Sequence, residues 1–324
     1  MLAELYVLFF IVACLVLAKA GTWSVSSLMR VADFLNWKKF IVASLVMGFV
    51  SSMPEFFVGV TSSLSGKPEL SFGNVIGSNI FLLTLVIGIA VLLGGNIKLK
   101  GKMVQSSLLF AGLYALLPLL LMLDGEASRG DGVILIIALV FYIRELTSSQ
   151  RRFRKIFLSD GEEEEPKKAL KQFKSFFKDL GIFLLSLGLL VASAEVIVFS
   201  ASRLALQFNL PLVLIGTLGV ALGTSLPELS FGIRSVLMKQ KEMVLGNVFG
   251  SIAINSALVL GITCLIRPFR IYDSSLYVGA FIFTGIVVLM FLIFSKTGDK
   301  ISKREGKFLL FLYFLFFVIQ LLLK

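Results

Sequence analysis

The sequence contains no histidine. That excludes imidazole-ligated zinc, Ser-His-Asp triads and most general-base chemistry at neutral pH. Cysteine is almost as scarce. Cys14 and Cys264 lie far apart in apolar runs, match no CxxC metal or redox spacing, and read as small buried hydrophobes. Charge is thin as well: 16% of residues are Asp, Glu, Lys or Arg, against about 25% in a soluble domain. Hydrophobic residues make up 57%, against about 45–50%, and mean hydropathy is +0.94. A soluble enzyme and a disordered chain are both excluded by this balance.

Apolar length is what the sequence does have. A helix crosses a bilayer with ~20 apolar residues, so 324 residues supply about ten crossings with short loops. Candidate spans lie near residues 2–30, 40–65, 70–95, 103–123, 131–146, 178–208, 211–237, 243–266, 273–295 and 306–323. The expected fold class is all-α, a polytopic membrane protein of ten transmembrane helices. The first span starts MLAELYVLFFIVACLVLAKAG. It has no basic leading region and no clear cleavage site, and reads as a retained helix.

The basic residues set orientation. Ten spans put both termini on one side, together with the turns near Lys67, Arg129 and Arg267–Arg270. The other side holds Arg30, Lys38, Lys39, Lys98, Lys100, Lys102, Arg234, Lys239, Lys241 and the stretch from Lys296 to Lys307. About five Lys/Arg fall on the first side and about 24 on the second, so the positive-inside rule predicts a cytoplasmic second side and both termini outside, in the cell membrane. The net charge of +11 is thereby explained by topology, with no nucleic-acid partner. The central loop, from Thr147 to Phe177, joins Arg151, Arg152, Arg154 and Lys155 to Glu162–Glu165 and then to Lys167, Lys168, Lys171 and Lys174. It reads as a solvated linker with a lipid-facing basic rim; four consecutive acids lack the alternating spacing of an EF-hand loop.

One segment occurs twice, 173 residues apart and without a gap. Ser52–Ile89 overlays Ser225–Ile262, with sixteen of 38 positions identical. The identities include Pro54/Pro227, Glu55/Glu228, Gly59/Gly232, Glu69/Glu242, Gly73/Gly246, Asn74/Asn247, Gly77/Gly250 and Ser78/Ser251. Low-complexity apolar sequence yields chance Leu and Val matches, not matched Pro, Glu, Asn and Ser. Five spans per half invert the second copy, so the expected organisation is two inverted five-helix repeats, residues 1–146 and 178–324, flanking a cytoplasmic charged loop, 147–177. Inverted repeats mark many secondary transporters, whose site lies at the midplane where the repeats meet.

Each copy places a glutamate mid-span, at a cost of at least ~2.5–3.5 kcal/mol if ionised. A cation site supplies the reason. Pro54 has no N–H, so the Val50 carbonyl loses its helical partner; Pro227 does the same to Gly223. The distorted turn also loosens the carbonyls of Ser51 and Thr224. Carboxylates, freed carbonyls and hydroxyls form a hard oxygen cage suited to Ca²⁺, which takes about 6–8 ligands. Asn74, Asn247, Ser78 and Ser251 add oxygens at the same depth, and Ser52, Ser78, Ser225 and Ser251 could hold monovalent ions beside it. Gly73/Gly77 and Gly246/Gly250 have the spacing that lets membrane helices approach closely.

With SSMPE at 51–55, GTSLPE at 223–228, GNVIGS at 73–78 and GNVFGS at 246–251, the sequence resembles the cation/calcium exchanger superfamily, most closely the archaeal and bacterial sodium/calcium exchanger branch. The resemblance covers both repeats. It implies an alternating-access antiporter that exports Ca²⁺ using inward Na⁺, with no organic cofactor and no enzymatic activity. Helices one and six would slide over the core within the lipid bilayer, with the oligomeric state left open between a monomer and a larger assembly. It further implies that Glu55, Glu228 and the carbonyls of Ser51 and Thr224 ligate Ca²⁺. Sodium would use Ser52, Ser78, Ser225 and Ser251 with the backbone of Gly48 and Ala221. Four residues after the serine of each GNVxGS motif, the archaeal pattern carries Asn in the first repeat and Asp in the second. Here those places hold Leu82 and Asn255. The difference leaves H⁺-coupled Ca²⁺ exchange open beside Na⁺ coupling. A cation channel lined by the two glutamates is the reading from another class.

Overall fold

Backbone N–H and C=O groups find no water in hydrocarbon, so an apolar chain must satisfy them within its own helices. The computed structural model is built that way. It describes residues 2–34, 48–99, 102–157, 169–239, 241–271, 274–297 and 300–323. The first half contains α1 (Leu2–Phe34), α2 (Met53–Leu64), α3 (Pro68–Phe81), the π-helical segment Leu82–Val86, α4 (Ile87–Gly94), α5 (Lys102–Leu121) and α6 (Arg129–Phe157). The second contains α7 (Ala169–Phe208), α8 (Leu212–Leu214), the π-helical segment Ile215–Val220, α9 (Ala221–Thr224), α10 (Leu226–Leu237), α11 (Lys241–Ile254), the π-helical segment Asn255–Val259, α12 (Leu260–Ile266), α13 (Ser274–Thr297) and α14 (Lys303–Leu322).

Burial divides these helices into centre and perimeter. Within Pro68–Gly94 and Met243–Ile266 the most apolar 18 residues are 83% and 78% buried inside the molecule, whereas within Ala3–Ser27 and Phe176–Phe208 they are 28% and 33% buried. The repeated motif therefore occupies the middle, and the long helices α1 and α7 lie side by side against it, showing Leu8, Leu15, Leu184 and Leu185 outward. Exposed leucines on helices of this length read as lipid contacts. At 33 and 40 residues the pair extends ~50 and ~60 Å, beyond the ~30 Å hydrocarbon thickness. Ser24 Oγ and Ser186 Oγ, 2.6 Å apart, join the pair at mid-length, and Arg30 donates to Asp179 at 2.7 Å near its basic end.

Two short antiparallel ribbons tie the halves. β1 (Ile97–Lys98) pairs with β4 (Lys300–Ile301), and β2 (Glu126–Ala127) with β3 (Phe269–Arg270), where Arg270 and Glu126 form a 2.6 Å ion pair. Each ribbon takes one strand from each half. The 20-residue helix α5 separates β1 from β2 by ~30 Å, so the ribbons lie at opposite ends of the molecule. At the basic end, α14 starts on a capping box in which Ser302 N–H donates to Glu305 at 2.5 Å and Glu305 N–H donates back to the Ser302 hydroxyl.

Six described helices are long and apolar enough to cross a membrane, and the bent pair Leu212–Thr224 and Leu226–Leu237 makes a seventh. The other expected crossings fall on the shorter apolar stretch Ser107–Leu121, on α6, and on α2, whose leading residues 35–47 lie outside the described part. The expected central loop is narrower than the sequence suggested. Helix α6 continues to Phe157 and α7 begins at Ala169, so the segments 147–157 and 169–177 are helical. The cause is the Gln, Arg and Lys content of these flanks, with Ala169 and Leu170 at the start of the second, which favours helix outside the bilayer as well as inside it. Lys38, Lys39, Lys100, Glu162–Glu165, Lys167 and Lys168 lie outside the described residues.

Close backbone approach sets the central packing. A Cβ on Gly73 would lie 2.2 Å from the Val213 carbonyl oxygen, and one on Gly77 2.2 Å from that of Thr217. Gly188, on the outer face of α7, meets nothing within 4 Å among the described residues. Gly77→Ala is expected to cost about 1–3 kcal/mol and lower the melting temperature of detergent-solubilised protein, while Gly188→Ala leaves it unchanged or raises it. Thermal unfolding followed by size-exclusion chromatography checks both.

Candidate cation site

The chain breaks at the same place in both halves. Ser52 (φ −83°, ψ 5°) and Ser225 (φ −88°, ψ 6°) leave the helix, and α2 and α10 restart one residue later. The sequence dictates this. Pro54 and Pro227 stand at the second position of the new helix, where a missing N–H is tolerated; inside an unbroken helix each would remove a hydrogen bond and clash with the carbonyl four residues earlier. Glu55 and Glu228 follow in the first turn, where the positive end of the helix dipole favours a carboxylate. In the second half the bend across the break is 41°. The Gly48 carbonyl accepts the Ser52 N–H at 3.4 Å, and the Ala221 carbonyl accepts the Ser225 N–H at 3.1 Å, so these two oxygens sit at matched places one turn before each break.

Glycine contacts bring the second wall into place. Because α3 presses Gly73 and Gly77 onto the segment 213–221, Asn74 and Ser78 face Thr224 and Ser225. Thr224 Oγ1 donates to Asn74 Oδ1 at 3.0 Å, and Ser78 Oγ lies 3.4 Å from Thr224 Oγ1. Ser225 Oγ lies 3.0 Å from Ser78 Oγ and donates to Glu55 Oε1 at 3.2 Å; Ser78 Oγ reaches the same oxygen at 3.5 Å. Across the pseudo-symmetry, Ser51 Oγ and Ser251 Oγ are 3.0 Å apart.

What these groups lack in partners is as informative. Glu55, Glu228, Ser52, Ser78, Thr224, Ser225, Ser251 and Asn255 are all 0% exposed. Among the described residues, ten buried side-chain nitrogen or oxygen atoms have no hydrogen-bond partner, and nine belong to the repeated motif and the residues that follow it. They are Ser52 Oγ, Glu55 Oε2, Asn74 Nδ2, Asn79 Oδ1, both Glu228 oxygens, Asn247 Oδ1 and both amide atoms of Asn255. A buried unpartnered polar atom costs about 1–3 kcal/mol, so natural folds retain few of them. Seven of the nine are oxygens, the donor set of a hard cation. No group of three or more His, Cys, Asp or Glu occurs among the described residues. The cage is thus two carboxylates completed by hydroxyls, amides and backbone.

The structure brings together Glu55, Ser78, Thr224 and Ser225 by direct contact, and Ser51 with Ser251. Leu82 and Asn255 each open a π-helical segment, at positions 173 apart. Such segments widen a helix by one residue per turn and recur at functional sites. Sequence reasoning missed two polar ties across the same interface: Asn79 donates to Ser256 Oγ at 2.8 Å, and Ser71 Oγ lies 2.8 Å from Thr263 Oγ1. The second copy carries Ile252 opposite Asn79, so the repeat gave no signal there. It also missed Gly21, where a Cβ would meet Pro54 Cγ at 3.0 Å and Pro227 Cγ at 3.3 Å; a lone glycine in an apolar helix carries no such message.

A helical membrane protein with a buried oxygen cage at mirrored helix breaks has the architecture of an ion carrier. Comparison with known proteins gives the family. The model for "Sodium/calcium exchanger protein" matches residues 5–146 and 178–322, and the chain belongs to that family. An uncharacterized membrane protein of Methanocaldococcus jannaschii is 29% identical over 307 residues, 94% of either chain. The sodium/calcium exchanger MaX1 of Methanosarcina acetivorans is 27% identical over 332 residues, 94% of this chain and 95% of that one. The solved structure of the sodium-calcium exchanger NCX_Mj, soaked with 2.5 mM Na⁺ and 10 mM Sr²⁺, superposes with a TM-score of 0.65 at 27% identity, covering 97% of this chain and 98% of that one.

Ser225→Ala removes a hydroxyl donor from Glu55 and is expected to destabilise the ion-free protein by about 1–3 kcal/mol. Ser52→Ala deletes a hydroxyl that has no partner and should leave the ion-free melting temperature level or higher. Thermal unfolding in detergent without Ca²⁺ or Na⁺ distinguishes the two.

Proposed function

We propose that the protein is a secondary antiporter exchanging Ca²⁺ for Na⁺ across the cell membrane by alternating access. The observation that carries this reading is the gathering of nine unpartnered buried polar atoms, both glutamates included, on a motif present once in each half. An interior so arranged is completed by cations. Glu55 and Glu228 supply charge that offsets one divalent ion, with the carbonyls of Ser51 and Thr224 in the same cage. Ser52, Ser78, Ser225 and Ser251, the carbonyls of Gly48 and Ala221, and the Asn255 amide serve Na⁺ beside it. Family membership and the names of MaX1 and NCX_Mj support the choice of ions.

Organisation follows from the same reading. Residues 1–146 and 178–324 form two inverted five-helix repeats, ten crossings in all, joined by the cytoplasmic segment 147–177, with both termini outside. Ca²⁺ and Na⁺ compete for overlapping oxygens, so the carrier crosses only when its carboxylates are neutralised. A bare pair of carboxylates facing hydrocarbon would meet the full desolvation penalty. A single copy of the chain carries the whole cage.

Isotopic Ca²⁺ flux in liposomes, with Na⁺, K⁺ and H⁺ gradients imposed one at a time, tests the proposal. Uptake driven by an opposed Na⁺ gradient is expected. Uptake driven only by a pH gradient would replace Na⁺ with H⁺ as the coupling ion, and flux indifferent to every counter-ion would make the protein a channel. Glu55→Gln and Glu228→Gln should each reduce exchange at least about 30-fold, the cost of losing one charged partner in a desolvated site.

A further inference from the structure

A cavity of about 140 Å³ adjoins the cage on one side. Its walls are one face of α1, carrying Thr22 and Ser26, and one face of α10, carrying Ser230 and Arg234; its floor includes Ser51 and Asn247. Each wall pair is four residues apart, as neighbours on one helical face must be. The floor belongs to the cage. Ser51 contacts Ser251, and Asn247 Oδ1 is one of the unpartnered atoms. The cavity lies at the basic end of the molecule, since α1 runs from Thr22 toward Arg30 and α10 ends at Leu237, just ahead of Lys239 and Lys241.

Among the described residues, the equivalent place in the other half is closed. By the 173-residue offset, Asn247 corresponds to Asn74, Ser51 to Thr224, Ser230 to Phe57, Phe231 to Val58 and Arg234 to Thr61. Asn74 and Thr224 bond to each other and are 0% exposed. Val58, with Phe57 against it, packs into an apolar cluster with Ile197 and Val198 of α7. Among the described residues, one approach to the cage is thus filled by hydrophobic side chains and a closed hydroxyl network. The other is a cavity with Arg234 among its lining residues.

We infer that this cavity is the route by which ions reach the cage from the basic end, and that Arg234 is a specificity-determining residue on it, discriminating cations by valence. The inference rests on the exchange reading above. A fixed positive charge at an entrance depletes cations locally, and the depletion grows exponentially with ion charge. At ~8 Å in water, a unit charge lowers the local concentration of a divalent ion about fivefold and that of a monovalent ion about twofold. Thr61 imposes no such bias on the other approach. The carrier is therefore kinetically asymmetric: the Arg234 face has the higher apparent KM for Ca²⁺ and favours Na⁺ in competition.

Everted and right-side-out membrane vesicles test this. Ser230→Cys first identifies the face: a charged, membrane-impermeant thiol reagent should reach it from the basic side alone, the native Cys14 and Cys264 being buried. A thiol reached only from the opposite side, or from neither, overturns the route. The Ca²⁺ KM is then measured at each face at low ionic strength for wild type, Arg234→Gln and Arg234→Glu. It should fall about fivefold per unit of positive charge removed at the Arg234 face, stay level at the other, and converge in about 0.5 M salt. A KM that does not follow the charge series, or moves equally at both faces, refutes the role of Arg234 while Na⁺-driven exchange by the wild type still stands. Wild-type vesicles without Na⁺-driven exchange would instead refute the functional reading, and this inference with it.

Discussion

Two fully buried carboxylates, one from each half of a helix-packed interior, are the constraint around which this molecule is organised. Neither can be left bare, and neither has a basic side chain beside it among the described residues. The protein answers with what lies near to hand: helix N-termini aimed at each glutamate, hydroxyls from the opposite half, and amides one helix away. The prolines are part of that answer. They create the N-termini in mid-helix, where an unbroken helix would offer only satisfied backbone.

The packing follows from the same demand. Oxygens from four helices converge only if the helices nearly touch, and Gly73 and Gly77 allow this by letting α3 meet backbone directly. The contacts are unequal on the two sides. Glu55 is held by Ser78 and Ser225, while both oxygens of Glu228 have no protein partner among the described residues. A molecule whose halves repeat in sequence is thus asymmetric in its bonding, and the less bonded half is the one the cavity reaches.

Much of this was legible in the sequence. The repeat alone identified Glu55, Glu228 and their serines, because Pro, Glu, Asn and Ser matched at fixed spacing cannot arise from hydropathy. It also placed a disturbed turn ahead of each proline, at the carbonyls of Val50, Ser51, Gly223 and Thr224, since proline chemistry is local. Three kinds of feature were not legible. The π-helical segments at Leu82 and Asn255 leave no mark in hydropathy or in helix propensity. The Asn79–Ser256 and Ser71–Thr263 ties depend on partners nearly two hundred residues away. The helical extensions of α6 and α7 were hidden by their charge, which on hydropathy reads the same whether the backbone is coiled or helical.

The two ribbons carry a mechanical consequence. Each takes one strand from each half, and they sit at opposite ends, so the core helices of both halves are clasped above and below. Neither ribbon includes a residue of α1 or α7. Those two helices, joined to each other through Ser24 and Ser186 and through Arg30 and Asp179, form a plank laid against a buckled frame. Among the described residues, its contact with the frame includes the place where Gly21 rests between Pro54 and Pro227.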